Sequence, residues 1–259
     1  MDTPDNNEAS EDTELSCNAL KVKPLPTKKS DLPQSEYMKS DVINRFPSLL
    51  LIVGRSASGK STVANYICTT PEFYGGFFQD IYLFSPTAEH DDLTKHLKIP
   101  KKNMITTPTP ERLDEIIGSQ DRKIKDKGIA WVGEHSRVLV ILDDIVSHRK
   151  FLESPPMLKL ACMGRHSLIS SIINVQSYTR CPRPIRLQSN GLILFPSSQS
   201  EVNLLVDDYC PPNRSKKQFR ALVEHATNVR FSFLYINMFC PPAAEQRYRK
   251  NFETYLSID

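Results

Sequence analysis

The chain has 259 residues, with 33 Lys plus Arg against 30 Asp plus Glu, 39% apolar residues and six cysteines. That length can bury a substantial core as one large domain or two small ones, and a net charge of +3 singles out neither a nucleic-acid protein nor an acidic tail. The longest apolar stretches, Leu49 to Val53 and Val138 to Leu142, fall far short of the roughly 20 residues that span a bilayer, and the N-terminus is acidic, so neither a membrane span nor a cleavable signal peptide is expected.

Residues 1–45 are rich in Asp, Glu, Asn, Ser, Pro and Lys, and their few apolar residues keep no helical or strand period. A disordered arm is expected there, followed by one domain over 46–259. The arm carries nine acidic and six basic residues, so the remainder holds a net +6.

The first strand is Leu49 to Val53, and Gly54-Arg55-Ser56-Ala57-Ser58-Gly59-Lys60-Ser61 follows it directly, with Thr62 next. This is G-x-x-x-x-G-K-S between a strand and a helix, the setting of a phosphate-binding loop. The two glycines let backbone N–H groups approach and surround phosphate oxygens. The helix expected over Lys60 to Thr69 adds its positive end. Lys60 reaches the β- and γ-phosphates in such a loop, and the Ser61 hydroxyl ligates Mg²⁺.

A strand at Ile81 to Phe84 and helices at Asp91 to Leu97 and Pro110 to Ser119 follow. The next strand, Arg137 to Leu142, ends in Asp143-Asp144. Two carboxylates at the ligand edge of a parallel sheet suit Mg²⁺ coordination by Asp143 and activation of a water by Asp144. Standing alone, the pair would also serve as a helix N-cap. After Met163-Gly164-Arg165-His166 comes the strand Leu168 to Ile173, with Gln176 just beyond it. Next to the Asp143 strand, Gln176 would sit near the γ-phosphate, whereas away from it the residue would be a surface amide. Arg165 suits an arginine finger that reaches a neighbouring subunit's site, or equally a solvent-facing arginine.

Pro-rich joints mark Cys181 to Pro184, Cys210 to Pro212 and Cys240 to Pro242. Between and after them are strands at Gly191 to Phe195 and Arg230 to Ile236, and helices at Gln199 to Tyr209, Lys216 to Ala226 and Ala243 to Leu256. Wholly apolar strands alternating with helices predict an α/β three-layer sandwich with a mostly parallel central sheet. Cys17, Cys68, Cys162, Cys181, Cys210 and Cys240 form no C-x-x-C pair. They read as reduced thiols of an intracellular protein without chemistry of their own.

The order of these features resembles the poxvirus-type genome-packaging ATPases, a branch of the FtsK/HerA-like P-loop motors found in large DNA viruses, virophages and Maverick/Polinton elements. The resemblance rests on Ile81 to Thr87, Leu142-Asp143-Asp144, Gly164-Arg165-His166, Gln176, Pro184-Ile185-Arg186 and Asn190. It implies an ATP- and Mg²⁺-dependent, ring-forming motor that drives double-stranded DNA into a capsid, with a capsid or portal protein as partner. It also implies work inside the host cell at the site of viral assembly, with nucleus, cytoplasm and association with the virion left open. By that resemblance Asp144, Gln176 and Arg165 are catalytic, Gly54 to Thr62 bind nucleotide, and Ser61 and Asp143 hold the metal. One departure stands out: many of these motors end the acidic strand in Asp-Glu, and this chain has Asp-Asp.

Charge supplies a separate indication. Val146 to Asn190 holds Arg149, Lys150, Lys159, Arg165, Arg180, Arg183 and Arg186 against Glu153 alone. Such a cluster suits sequence-independent phosphate contacts, or a solvated face with salt bridges. A P-loop kinase acting on a small molecule or nucleotide, and a nucleotide-gated binding protein without turnover, are the competing functions.

Overall fold

Side chains alternate across a strand, and Leu49–Val53 (β1) therefore serves two cores at once. Leu50 and Ile52 face one side, packed with Ala64, Ile67 and Cys68 of helix α1 (Lys60–Thr69) and with Phe73 and Tyr74. Leu49, Leu51 and Val53 face the other, where helices α2 (Pro110–Lys127), α5 (Pro155–Met163), α7 (Gln199–Tyr209) and α8 (Lys216–Ala226) supply the apolar cover. All five β1 residues are buried. At about 1.5–3 kcal/mol for each fully buried large aliphatic side chain, a strand covered on both faces is fixed in place by its own composition.

The structure is a computed structural model that describes residues 42–43, 46–88, 96–145, 147–212, 214–240 and 245–258. The chain divides into Met1–Asp31, none of which is described, and Leu32–Asp259, which carries the fold. The expected arm of residues 1–45 lies outside the described residues apart from Val42 and Ile43. Ile43 is buried among the apolar residues on the α1 side of the sheet.

Further strands are β2 (Asp80–Phe84), β3 (Met104–Ile105), β4 (Val138–Leu142), β5 (Ile169–Val175), β6 (Gly191–Leu194), β7 (Leu234–Asn237), β8 (Tyr248–Lys250) and β9 (Thr254–Leu256). They form one sheet in the order β3-β2-β4-β5-β1-β6-β7-β8-β9, parallel from β3 to β6 and antiparallel from β7 onward. The expected α/β three-layer sandwich with a mostly parallel sheet is the fold of the chain. What fixes the site is that β5 runs between β1 and β4, with Val53 opposite Val175 and Leu142 opposite Ile173.

Short helices α3 (Ile129–His135), α4 (Arg149–Leu152) and α6 (Arg183–Gln188) complete the α elements. Helices α5 and α6 are not among the expected ones; α5 opens on Pro155 and α6 carries Pro184 in its first turn, a place where proline is compatible with a helix because no N–H is needed there. The strand expected from Arg230 begins only at Leu234, because Ser232 closes a turn on Val229 through both its amide and its hydroxyl. The helix expected over Ala243 to Leu256 is instead a helical turn at Glu245–Arg247 and the β8–β9 hairpin. Asn251 takes a left-handed φ of 55° at the bend, and its side chain accepts from the Phe233 N–H. The helix expected at Asp91 to Leu97 falls mostly on residues outside those described.

Helix α2 runs past its expected end at Ser119. Thr109 caps its start, Gly128 at φ 86° ends it, and Gly118 sits in its interior with nothing within 4 Å of where a Cβ would lie. Gly118→Ala should therefore stabilise the protein by about 0.5–1 kcal/mol, read as a rise in Tm of roughly 2–3 °C. An unchanged or lower Tm would contradict this account of the helix.

The five described cysteines are free thiols, and burial pushes Cys68 and Cys181 up to about 12, so both stay protonated. Among the described residues no helix is long and apolar enough to cross a membrane.

Candidate nucleotide site

The loop after β1 is held against β5 and β6. The Gly54 N–H donates to the Val175 carbonyl at 3.1 Å, and the Phe195 N–H to the Val53 carbonyl at 2.9 Å. A Cβ at Gly54 would stand 2.5 Å from Ser58 Oγ and 2.8 Å from Phe195 Cβ, so this position has no room for a side chain. Gly59 lies at φ 104° as the N-cap of α1, a conformation that favours glycine. Ala57 is also left-handed, at φ 58°. The result is a turn whose successive N–H groups are available to an anion at the positive end of α1.

Lys60 is buried, and its Nζ donates to the Arg55 carbonyl at 2.8 Å. Burial lowers its pKa, and the Asp143 and Asp144 carboxylates offset part of that. The ammonium is thus short of acceptors in a site that a phosphate would complete. Ser58 Oγ is buried without a partner. Arg55 and Thr62 point to solvent at the two ends of the loop.

The acidic pair closes the cleft from β4. Ser61 Oγ donates to Asp143 Oδ2 at 3.2 Å, and Asn174 Nδ2 donates to Asp143 Oδ1 at 3.1 Å. Asp144 is exposed and takes a left-handed φ of 52°, turning its carboxylate off the line of the strand. Gln176 Nε2 donates to Asp144 Oδ1 at 2.6 Å. Together with Ser56, Ala57 and Thr87 these residues line a cavity of about 150 Å³ on the carboxyl edge of the sheet.

So the structure brings together Ser56, Ala57, Lys60, Ser61, Asp143, Asp144 and Gln176. Arg165 is not with them. It lies in the turn before β5, exposed, with its Nε 3.4 Å from His166 Nε2. A seven-residue strand, about 20 Å, separates it from Gln176. Asn174, by contrast, was not picked out from the sequence. Its signal was there: a polar residue inside an apolar strand, two positions before Gln176 and so on the same face.

The basic segment is partly neutralised by acids outside it. Lys159 pairs with Asp121 at 3.0 Å and Arg186 with Asp208 at 2.6 Å, while Arg149 pairs with Glu153 at 2.8 Å. Arg180 and Arg183 are exposed and line, with Arg149 and Arg186, a larger cavity of about 690 Å³ between α4 and the chain that follows β5.

Solved structures share the fold. The genome packaging NTPase B204 from Sulfolobus turreted icosahedral virus 2, in complex with AMP, superposes with a TM-score of 0.57 at 14% identity, covering 79% of this chain and 96% of that one. B204 described as the DNA-packaging ATPase from Sulfolobus turreted icosahedral virus superposes with a TM-score of 0.56 at 14% identity, covering 79% and 97%. No curated protein sequence matches the chain. A family model described as Poxvirus A32 protein matches residues 35–231, about three quarters of the sequence and the span that holds the whole cleft. On that extent of match, the chain belongs to the poxvirus A32 protein family.

Proposed function

We propose that this chain is an ATP-hydrolysing motor that drives double-stranded DNA into a viral capsid, acting at the site of viral assembly in the host cell. The observation that carries the reading is the position of β5 between β1 and β4, which gathers Lys60, Ser61, Asp143, Asp144 and Gln176 around one cleft. Family membership supports it, as do the two neighbours described as packaging enzymes. B204 has also been solved with ATP-gammaS, with a TM-score of 0.54 at 13% identity over 81% of this chain and 98% of that one.

In this reading the N–H groups of Ala57, Gly59, Lys60 and Ser61, at the end of the loop and the start of α1, cradle the phosphates, and Lys60 exchanges the Arg55 carbonyl for the β- and γ-phosphates. Ser61 and Asp143 fit Mg²⁺: both offer hard oxygen donors, already within hydrogen-bond distance, and Asn174 holds the carboxylate in place. When bound, the ion neutralises charge on the β- and γ-phosphate oxygens. Asp144 takes a proton from the water that attacks the γ-phosphorus, while the bond to the bridging oxygen breaks and ADP leaves with the electron pair. Gln176 holds the carboxylate that performs this step. We assign the domain to residues 46–259 and its working form to a homo-oligomeric ring that docks on a capsid or portal protein, with Arg165 acting across the interface.

Contact with DNA is assigned to Arg180 and Arg183, the two arginines of the larger cavity without an ion-pair partner among the described residues. The wild-type protein should hydrolyse ATP faster with double-stranded DNA than without it. Arg180→Ala/Arg183→Ala should weaken DNA binding at every sequence alike and reduce the slope of log K against log salt by about two. Hydrolysis indifferent to DNA, together with a phosphorylated small-molecule product, would replace the motor by a kinase.

A further inference from the structure

The triphosphate has a direction. Its γ end must face Asp144 and Gln176, which follow β4 and β5 on one side of β1. The ribose and base must then extend toward the other side, where β6 and β7 lie. There β7 runs antiparallel to β6 with Leu234 opposite Leu194, so the residues just before β7 emerge at the same carboxyl edge as the phosphate loop.

Phe231 is in that segment. It is 52% exposed, yet its backbone is held at φ 68°, a conformation that a bulky residue rarely adopts. The turn that imposes it is closed by Ser232, whose Oγ donates to the Val229 carbonyl at 2.7 Å and accepts from the Val229 N–H at 3.2 Å. Phe233 anchors the next position, its ring 5.3 Å from that of Phe195, which lies beneath the loop glycines. These constraints hold the Phe231 ring beside the phosphate loop, with Cδ1 3.6 Å from where a Gly59 Cβ would stand. The Arg230 guanidinium lies 4.6 Å from the ring centroid.

We propose that Phe231 is the stacking platform for the base of the bound nucleotide. The inference rests on the reading of the loop as an ATP site and deepens it. An aromatic face beside the phosphate loop, on the side away from the γ-phosphate, matches the π-face of adenine. Stacking is indifferent to base identity, so Phe231 contributes affinity for nucleobases without selecting among them.

Calorimetric titration of the full chain with MgATP and with inorganic tripolyphosphate tests this. Phe231→Ala should raise the Kd for ATP by about ten-fold, the effect of losing one aromatic stack, and leave the Kd for tripolyphosphate unchanged. Phe231→Trp should keep ATP within about two-fold of wild type. An unchanged ATP affinity in Phe231→Ala would overturn the proposal. So would equal weakening of ATP and tripolyphosphate, because Phe231 would then shape the loop rather than meet the base. If the wild-type chain binds tripolyphosphate but gains nothing from the nucleoside, the stack is absent; if it binds neither ligand, the nucleotide reading itself falls and takes this inference with it.

Discussion

Asp144→Asn should lower kcat for ATP hydrolysis by about a thousand-fold, the scale of losing a general base, and leave the Kd for ATP within about two-fold. The substitution is nearly isosteric, and an asparagine Oδ1 still accepts the Gln176 amide that now reaches Asp144 at 2.6 Å. Geometry is therefore retained while the proton acceptor is removed. Asp143 is the control, because its two oxygens are already engaged by Ser61 and Asn174. Asp143→Asn should change the Mg²⁺ dependence of nucleotide binding, whereas Asp144→Asn should not. A kcat within ten-fold of wild type in Asp144→Asn would remove Asp144 from the chemistry and leave a different group to activate the water. The departure from Asp-Glu gives this test added weight. A shorter carboxylate must sit closer to the water, and the left-handed φ of Asp144 is one way for the backbone to bring it there.

Legibility in the sequence followed how local each cause was. The bounds of β1, α1, α7 and α8 matched their expected ranges, because each is set by an apolar pattern within a few residues, with the Ser215–Gln218 capping box added at the start of α8. The loop Gly54 to Ser61 was legible for the same reason: its chemistry is contained in eight consecutive residues. The β8–β9 hairpin was not. Its tyrosines fit a helical period as readily as a strand, and what decides is Asn251 meeting Phe233, eighteen positions away. The charge arithmetic failed in a similar way. A net +6 over Val146 to Asn190 was correct as a count, but Asp121 and Asp208, which neutralise Lys159 and Arg186, lie outside that window. Lys150, Arg165, Arg180 and Arg183 are left without an ion-pair partner among the described residues, and of these only Arg180 and Arg183 line the larger cavity. Phe231 was hidden by being read as part of a strand, where an aromatic residue is ordinary, whereas in the structure it sits in a turn at positive φ.

Arg165→Ala should leave ATP affinity within about two-fold and reduce kcat by about a thousand-fold or more, the scale of an arginine finger supplied by a neighbour. The position of Arg165 makes the prediction sharp. It sits at the amino end of β5, about 20 Å from Gln176 along the strand, several times the reach of an arginine side chain. Any effect on phosphoryl transfer must therefore be exerted on another protomer, through a heterologous interface of the kind that closes a ring. Mixing resolves this. A protomer carrying Arg165→Ala retains Asp144, and an Asp144→Asn neighbour retains Arg165, so their interface contains one complete site. Random assembly of equal amounts makes about a quarter of the interfaces complete, and hydrolysis should recover in proportion. Co-assembly is confirmed separately by capture of an untagged variant with a tagged one. Mixed rings that form and remain inactive would exclude Arg165 as the finger. The role would then pass to Arg180 or Arg183, the exposed arginines that follow β5 without an ion-pair partner among the described residues, and the same mixing experiment with Arg180→Ala or Arg183→Ala would identify which one reaches the neighbouring site.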